Sequence, residues 1–294
     1  MGHHRELAQC SRLHGARNGS VSAAGLHTSS DRDEHALAEN QIGHLLLDRN
    51  DFQIRLADAG AAEESHALIH RMYTRRGYKL SAPVAALQTM HEITLQACRE
   101  HTVFGTLSVR FDSNRGLGAD ALYRDQIDEY RSDGARVAEL TRLAVDPEFG
   151  SKEVLGGLFH LAYVFCGPVR QIDDVFIEVN PRHVPFYRRM LDFTAVGACK
   201  ICPRVAAPAI LMHVKVAYVG AQAARWGGQP GAATRSLYPY FCSAGEEDDV
   251  RSRIAELYEP AASAAPQPEG LALRRQPTRS SPSEADRSTV PRSA

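Results

Sequence analysis

The chain has 294 residues, 44% of them hydrophobic, and its 34 Lys and Arg against 35 Asp and Glu leave a formal net charge of -1. That length suffices for one substantial domain or two small ones, and the charge balance gives no reason to expect nucleic acid or an anionic membrane surface as a partner. No apolar run approaches the roughly 20 residues that span a bilayer, residues 1–20 lack a signal-type apolar core, and six cysteines in a chain this long read as reduced thiols, so a cytoplasmic globular protein is expected.

Residues 1–50 are rich in His, Ser, Gly and Arg, with apolar runs only at 36–38 and 42–47. They read as a largely disordered leader with at most a local helix, because little apolar surface is present to offset ordering entropy. Alternation makes 52–56 a strand. Residues 60–76 are helical, with Leu68, Ile69, Met72 and Tyr73 on one face and Gly77 at the end. Segments 91–98 and 103–111 read as a hairpin, followed by a loop and a helix at 119–131. A strand at 137–145 precedes a helix at 154–166. Val175 to Val179 is again a strand, and it stops at Asn180-Pro181, since Pro181 has no N–H to donate to a ladder. Phe186, Tyr187, Met190 and Leu191 then share one face of a helix at 182–191. An antiparallel pair at 196–201 and 209–219 closes the sheet. A helix at 246–258 carries its acids in the first turn, and from 259 the composition shifts to Ala, Pro, Ser and Arg, which reads as a disordered tail. The expected division is a leader at 1–50, a folded domain at 51–258 and a tail at 259–294. The fold class is α+β, a mixed, mainly antiparallel seven-stranded sheet with helices on both faces.

Within that frame the run Glu139-Leu140-Thr141-Arg142-Leu143-Ala144-Val145 stands out for its charges. Strict alternation puts Glu139, Thr141 and Val145 on one face and Arg142 on the other. A β-bulge between Glu139 and Arg142 would bring both to one side; otherwise the two read as ordinary strand charges or a structural ion pair. Cys199 and Cys202 have metal or redox spacing. No second ligand pair accompanies them, and they fall in a β-hairpin region rather than at a helix N-terminus, so no metal site is expected. No Gly-x-Ser-x-Gly elbow or P-loop is present.

The order of elements resembles the GNAT acyltransferase fold, whose fourth and fifth strands splay apart to admit an acyl thioester. The Glu-x-Thr-Arg strand resembles one shared by acyl-homoserine-lactone synthases and bacterial N-acyl amino acid synthases. RMYTRRGY (71–78), VNPRHVPFYRRMLDF (179–193), CPRVAAPAILM (202–212) and SLYPYF (236–241) resemble the latter family more closely. The resemblance covers about residues 52–258 and rests on the ordered set of motifs. It implies transfer of a long-chain acyl group from an acyl-phosphopantetheine thioester, a co-substrate and not a bound cofactor, to the α-amine of an amino acid. Acyl carrier protein is the implied partner.

By that resemblance Glu139 is the candidate base and Tyr187 the candidate acid for the leaving sulfur. Arg142 would hold the substrate carboxylate, with Thr141, Asn180 and His183 as further contacts, and the Val145 N–H would face the oxyanion. The loop DPEFGSKEVLGG lacks the Arg/Gln-x-x-Gly-x-Gly/Ala cradle of acetyl-CoA enzymes. Gly150, Ser151 and Lys152 therefore suit a single phosphate at a helix N-terminus. Arg71, Arg75 and Arg76 either complement the end of their helix or dock an acidic carrier protein. Asp192 stands where the family usually has a helix-ending Gly. Competing readings are a lactone synthase, disfavoured because the lone Trp226 lies far from the first helix, and a non-catalytic acyl-binding module.

Overall fold

In the computed structural model, which describes residues 44–57, 62–79, 91–100 and 102–258, nine strands form a sheet in the order β1-β2-β3-β4-β5-β6-β9-β7, with β8 paired to β9 beside it. The strands are β1 (His44–Arg49), β2 (Phe52–Leu56), β3 (Glu92–Arg99), β4 (Thr102–Phe111), β5 (Val137–Val145), β6 (Asp174–Val179), β7 (Thr194–Ala195), β8 (Lys200–Cys202) and β9 (Ala207–Lys215). Helices α1 (Ala62–Arg75), α2 (Asp120–Ser132), α3 (Lys152–Val164), α4 (Val184–Leu191), α5 (Val216–Trp226) and α6 (Ala244–Tyr258) connect or follow them. Chain contacts set the residues up to Glu256 apart as one unit from those beginning at Leu257.

Two expectations need correction. Residues 42–47 were expected to form a local helix in a leader. His44–Arg49 is instead a strand, antiparallel to β2 through the two-residue turn Asn50-Asp51, and it buries Leu46 and Leu47. A tight turn next to an alternating strand is a hairpin signal, and it outweighs the helical spacing of three leucines. The folded part therefore starts no later than His44; the rest of the expected leader and the tail from 259 lie outside the described residues. The final strand was expected to run to 219. It stops at Lys215, and the next residues form α5, with Val216 and Ala223 buried. With β1 added, and the 196–201 strand replaced by the two short strands β7 and β8, nine strands take the place of seven.

Helices α1 and α2 share one face of the sheet. Leu68, Ile69 and Met72 of α1 pack on Cys98, Val103 and Ala144. Tyr123 and Ile127 of α2 pack with Val137, Phe176 and Leu211. The opposite face is covered by α3, which enters close contact through two glycines. A Cβ on Gly157 would stand 2.8 Å from Ile54, and one on Gly156 would stand 2.6 Å from the backbone of Tyr240. Helix α4 ends at Asp192 in the left-handed conformation (φ 58°), its N–H bonded to the Tyr187 carbonyl. Asp tolerates that geometry better than most residues, so the cap survives without Gly.

Two irregularities shape the middle of the sheet. The parallel pairing of β5 with β6 runs from Val137–Asp174 to Leu140–Ile177 and stops, while β6 continues beside β9 and β5 continues beside β4. Beyond Leu140, β5 has no strand on its β6 side among the described residues. Between the pairs Ser108–Thr141 and Thr106–Ala144, β5 carries one residue more than β4. That extra residue makes a bulge in which Arg142 adopts φ 54°, pinned where its carbonyl accepts the Thr106 hydroxyl at 2.9 Å. A left-handed non-glycine costs about 1–2 kcal/mol, so the surrounding structure must hold it in place.

One buried group carries a pH signature. His160 of α3 is fully buried, 3.4 Å from Glu247 and edge-on to Phe241, and neither ring nitrogen has a hydrogen-bond partner among the described residues. Burial first, and Arg49 second, lower its pKa to about 4. It is therefore neutral at pH 7, and its approach to Glu247 is no ion pair there. The unfolded chain protonates this His near 6.5 and the folded one near 4, so stability contributed by the neutral ring is lost as pH falls through that window. Thermal unfolding of the protein and of His160→Phe between pH 7.5 and 4.5 is expected to show the native Tm falling more steeply on acidification. Parallel slopes would refute the role of this ring.

Candidate active site

The bulge decides where the charges point. Glu139 pairs across the ladder with Arg110, and Arg110 with Glu92, so all three side chains stand on the α1/α2 face. Arg110 bonds Glu92 through Nε and Nη2 at 2.8 and 2.7 Å, and Arg142 bonds the other Glu92 oxygen. The bulge thus brings Arg142 to the side of the sheet that Glu139 occupies, as the alternation argument required. Across the opening, Glu178 of β6 bonds Arg204, from the β8–β9 turn, at 2.8 Å. Three carboxylates and three guanidiniums line this layer, and Glu139 lies among them with 1% of its surface exposed.

The Glu139 carboxylate accepts the Ala119 N–H at 3.1 Å and lies 3.8 Å from Arg204 Nη1. Burial raises its pKa; Arg204 and Arg110, with the Ala119 bond, pull the other way, and Glu178 adds to the rise. A carboxylate of raised pKa is a stronger base than one in water. Arg142 is mostly buried, and its Nη1 has no hydrogen-bond partner among the described residues. A buried, unmatched guanidinium donor is costly unless something else meets it. Thr141 is half-buried on the Glu139 face, opposite Ser108, and Val145 ends the strand opposite Gly105.

Tyr187 lies on α4, half-buried among the rings of Phe159, Phe186 and Phe193. Burial first, then the neighbouring phenols of Tyr73 and Tyr78, raise its pKa well above the ordinary value, against a smaller opposing pull from Arg76. The phenol is therefore protonated at neutral pH. Tyr73, on α1, packs edge-on to Tyr78 at 5.6 Å and is pushed to about 12 by burial, against Arg142 and Arg76. It links the Tyr187 side of the opening to the charged layer.

The remaining expected residues fall into two groups. Asn180 is occupied structurally, its Oδ1 accepting the Arg182 N–H at 3.2 Å and its Nδ2 donating to the Pro208 carbonyl at 3.1 Å. His183 beside it has a lowered pKa from burial, Arg182 and Arg76. Gly150, Ser151 and Lys152 form the start of α3, where the Ser151 hydroxyl caps Val154 N–H at 3.2 Å and the Lys152 ammonium sits 5.4 Å from the Tyr240 ring centroid. Arg71 is bonded to Asp146 at 2.8 Å, while Arg75 and Arg76 are exposed at the end of α1. Cys199 and Cys202 are both free thiols.

Sequence reasoning missed Glu92, Arg110, Glu178, Arg204 and the site role of Tyr73. A signal was present for the first three: each is a charge inside an otherwise apolar strand pattern. Arg204 carried no such signal, because a turn arginine is ordinary. On the far face of the sheet, an apolar cavity of about 30 Å³ lies between α3, α5 and the sheet, lined by Leu140, Phe159, Tyr163, Val175 and Phe193 among others. Leu140 is also the last β5 residue paired to β6.

The sequence model of the family described as N-acyl amino acid synthase FeeM matches residues 64–215, more than half of the chain. This chain belongs to that family. It is an N-acyltransferase, and Glu139, Arg142 and Tyr187 all lie within the matched span. Among solved structures, FeeM, an N-acyl amino acid synthase from uncultured soil microbes, is similar at 26% identity and a TM-score of 0.52, covering 56% of this chain and 91% of that one. The lactone synthase LasI (11% identity, 56% and 90% covered, TM-score 0.44) and Escherichia coli ElaA (10%, 55% and 98%, 0.41) also match. No curated protein matches the chain. Among the described residues, no helix is long and apolar enough to cross a membrane.

The buried Glu139 has a consequence for stability. Its folded pKa is raised, so the penalty is absent below the unfolded value of 4.5, grows as pH rises from there, and levels off once pH passes the folded value. Glu139→Gln is therefore expected to raise Tm at pH 7.5 by about 2–4 °C, a gain that vanishes below pH 4.5. A Tm lowered at neutral pH would show the carboxylate to be a net structural asset instead.

Proposed function

We propose that the enzyme moves a long-chain acyl group from an acyl-phosphopantetheine thioester, carried on acyl carrier protein, to the α-amine of an amino acid. The amine attacks the thioester directly, without an acyl-enzyme intermediate. The observation that carries this reading is the buried, unmatched Nη1 of Arg142 on the same face as Glu139. A planar guanidinium with a donor to spare fits an amino acid carboxylate, and a carboxylate bound there would bring its own ammonium near a base.

In this scheme the ammonium gives its proton to Glu139, directly or through one water. The freed amine adds to the thioester carbonyl, whose developing oxyanion takes a backbone N–H near Val145, on the β5 edge left open by β6. Collapse of the tetrahedral adduct expels the pantetheine thiolate, which takes its proton from the Tyr187 phenol. The second proton on the attacking nitrogen returns to Tyr187, leaving a neutral amide, and Glu139 gives up its proton to water. Thr141, Asn180 and His183 border the amino acid. The phosphate of the arm rests at Gly150, Ser151 and Lys152, where free N–H groups of α3 favour an anion. The apolar cavity below Leu140 and Phe159 suits the start of the acyl chain. Exposed Arg75 and Arg76, with Arg71 tied to Asp146 beside them, offer cations to an acidic carrier.

Purified protein is to be incubated with palmitoyl-acyl carrier protein or palmitoyl-CoA and each amino acid in turn, and amides read by mass. Amide formation with the carrier-bound donor is expected; no product from any donor refutes the reading. Glu139→Gln should lower kcat by about 10²–10⁴ and Tyr187→Phe by a smaller factor within the same class of effect. Arg142→Lys should raise KM for the amino acid by about tenfold or more, because an ammonium cannot keep Glu92 and offer a second directed N–H to the substrate as the planar guanidinium does. Arg75→Glu should raise KM for the carrier donor and leave the CoA donor unaffected.

A further inference from the structure

Arg204 reaches the charged layer from outside the sheet. It belongs to the turn between β8 and β9, and two contacts hold that turn. Cys202 pairs with Ala207 at its base, and the Val205 carbonyl accepts the Lys79 N–H from the end of α1 at 3.2 Å. Ala206 completes it with φ 51°. From there the guanidinium extends inward, with Nη2 2.8 Å from Glu178 Oε2 and Nη1 3.8 Å from Glu139 Oε1. The shorter contact anchors the arm to β6. The longer one is too long for a hydrogen bond and acts as a charge beside a buried carboxylate.

Gly118 makes room for this approach. A Cβ there would stand 2.3 Å from Arg204 Nη1, 2.8 Å from Arg110 Nη1 and 3.0 Å from Glu139 Oε2. Its φ is not in the left-handed region, so glycine is required for space rather than for backbone freedom. The missing side chain lets two cations converge on the Glu139 carboxylate just ahead of the Ala119 N–H that it accepts.

The other charges are committed. On β4, Arg110 is bonded to Glu92 of β3, and Arg142 of β5 is bonded to the same carboxylate. On α2, Asp120 is bonded to Arg131, and Tyr123 lies under the Lys200 ammonium, which donates to the Leu122 carbonyl. Glu178 of β6 is the like charge facing Glu139, and Cys202 of β8 lies beside Glu178 and Arg204. Without Arg204, two carboxylates would face each other across the opening with Arg110 already shared.

We propose that Arg204 is a positioning residue, which from the β8–β9 turn keeps Glu139 in place and in its charged form, with Glu178 as its counter-anchor and Gly118 as the gap that admits it. This rests on the reading of Glu139 as the base. Burial is the largest influence on the Glu139 carboxyl, and Arg204 is the largest of those opposing it, which agrees with the geometry.

The test has two readouts. The first needs no substrate: the Tm gain of Glu139→Gln over Glu139 is followed from pH 4 to 9 in the otherwise native chain and in Arg204→Met and Arg204→Lys backgrounds. The pH at which the gain levels off reports the folded Glu139 pKa. It is expected to move up by about one unit with Met and to stay near its native position with Lys, as for removal or retention of an opposite charge at this range. The second readout is kcat/KM against pH with palmitoyl-acyl carrier protein and the free amino acid that serves as acceptor, where the acidic limb is expected to move up in the same way for Arg204→Met. If Arg204→Met does not fold, Gly118→Ala displaces the guanidinium with Arg204 still present and should give the same movements. An unmoved levelling-off overturns the proposal alone and leaves Arg204 as a turn anchor. A moved levelling-off with an unmoved acidic limb overturns the base role of Glu139, and the proposal with it.

Discussion

The early end of the β5–β6 pairing is the constraint on which the site depends. Parallel strands that stay paired would bury Thr141 to Val145 between two neighbours. Release at Leu140–Ile177 leaves one edge of β5 open while β4 still holds the other. An open edge in the middle of a sheet exposes backbone N–H and C=O groups, which ordinarily costs stability unless a partner meets them. Here the bulge at Arg142 lies on the same stretch, so the irregular backbone coincides with a guanidinium whose Nη2 is held by Glu92 and whose Nη1 has no partner among the described residues. Strain concentrated where the ladder is already broken is tolerated because β4, through Thr106, fixes it from the closed side.

The two faces of the sheet at this point have opposite chemistry. The α1/α2 side carries the ion network from Glu92 to Glu178, and the α3 side carries an apolar cavity beneath Leu140. A gap between two strands is the shortest path from one face of a sheet to the other, so the two environments meet where β5 and β6 part. Tyr187 stands at this boundary, with Phe159 and Phe193 against its ring and Tyr73 within electrostatic reach of its hydroxyl. Its aromatic body and its polar tip answer to different sides, which is why the helix pattern alone could not say whether it belonged to core or site.

Local rules carried the sequence reading where neighbours along the chain decide the outcome. Pro181 ending β6, Gly77 ending α1 and Asp192 capping α4 were legible because each acts through its own dihedrals or missing donor. The leucines of β1 misled because an edge strand takes its identity from the strand it joins, β2, and the tight Asn50-Asp51 turn was the only local sign of that. Val216 to Val219 failed for the reverse reason: four apolar residues suit strand and helix alike, and the end of the sheet was set by β6. In the site, alternation framed the Glu139/Arg142 question correctly but could not locate the bulge. Arg204 was illegible, since its partners Glu139 and Glu178 come from strands 65 and 26 residues earlier in the chain and nothing local marks a turn arginine as reaching inward.

The balance of three carboxylates against three guanidiniums in one layer also bears on how such a site can change. Its members share partners, Glu92 holding both Arg110 and Arg142 and Arg204 lying between Glu139 and Glu178, so changing one alters the field felt by the others and the effects do not simply add. A lineage that alters the size or charge of its substrate has few single steps available inside this layer. Compensated pairs, or changes in the less constrained turn that bears Arg204, are the open routes. Shared partners therefore tie the charged layer together, while the turn that bears Arg204 and the lining of the apolar cavity can change without breaking a pairing between strands β3, β4 and β5.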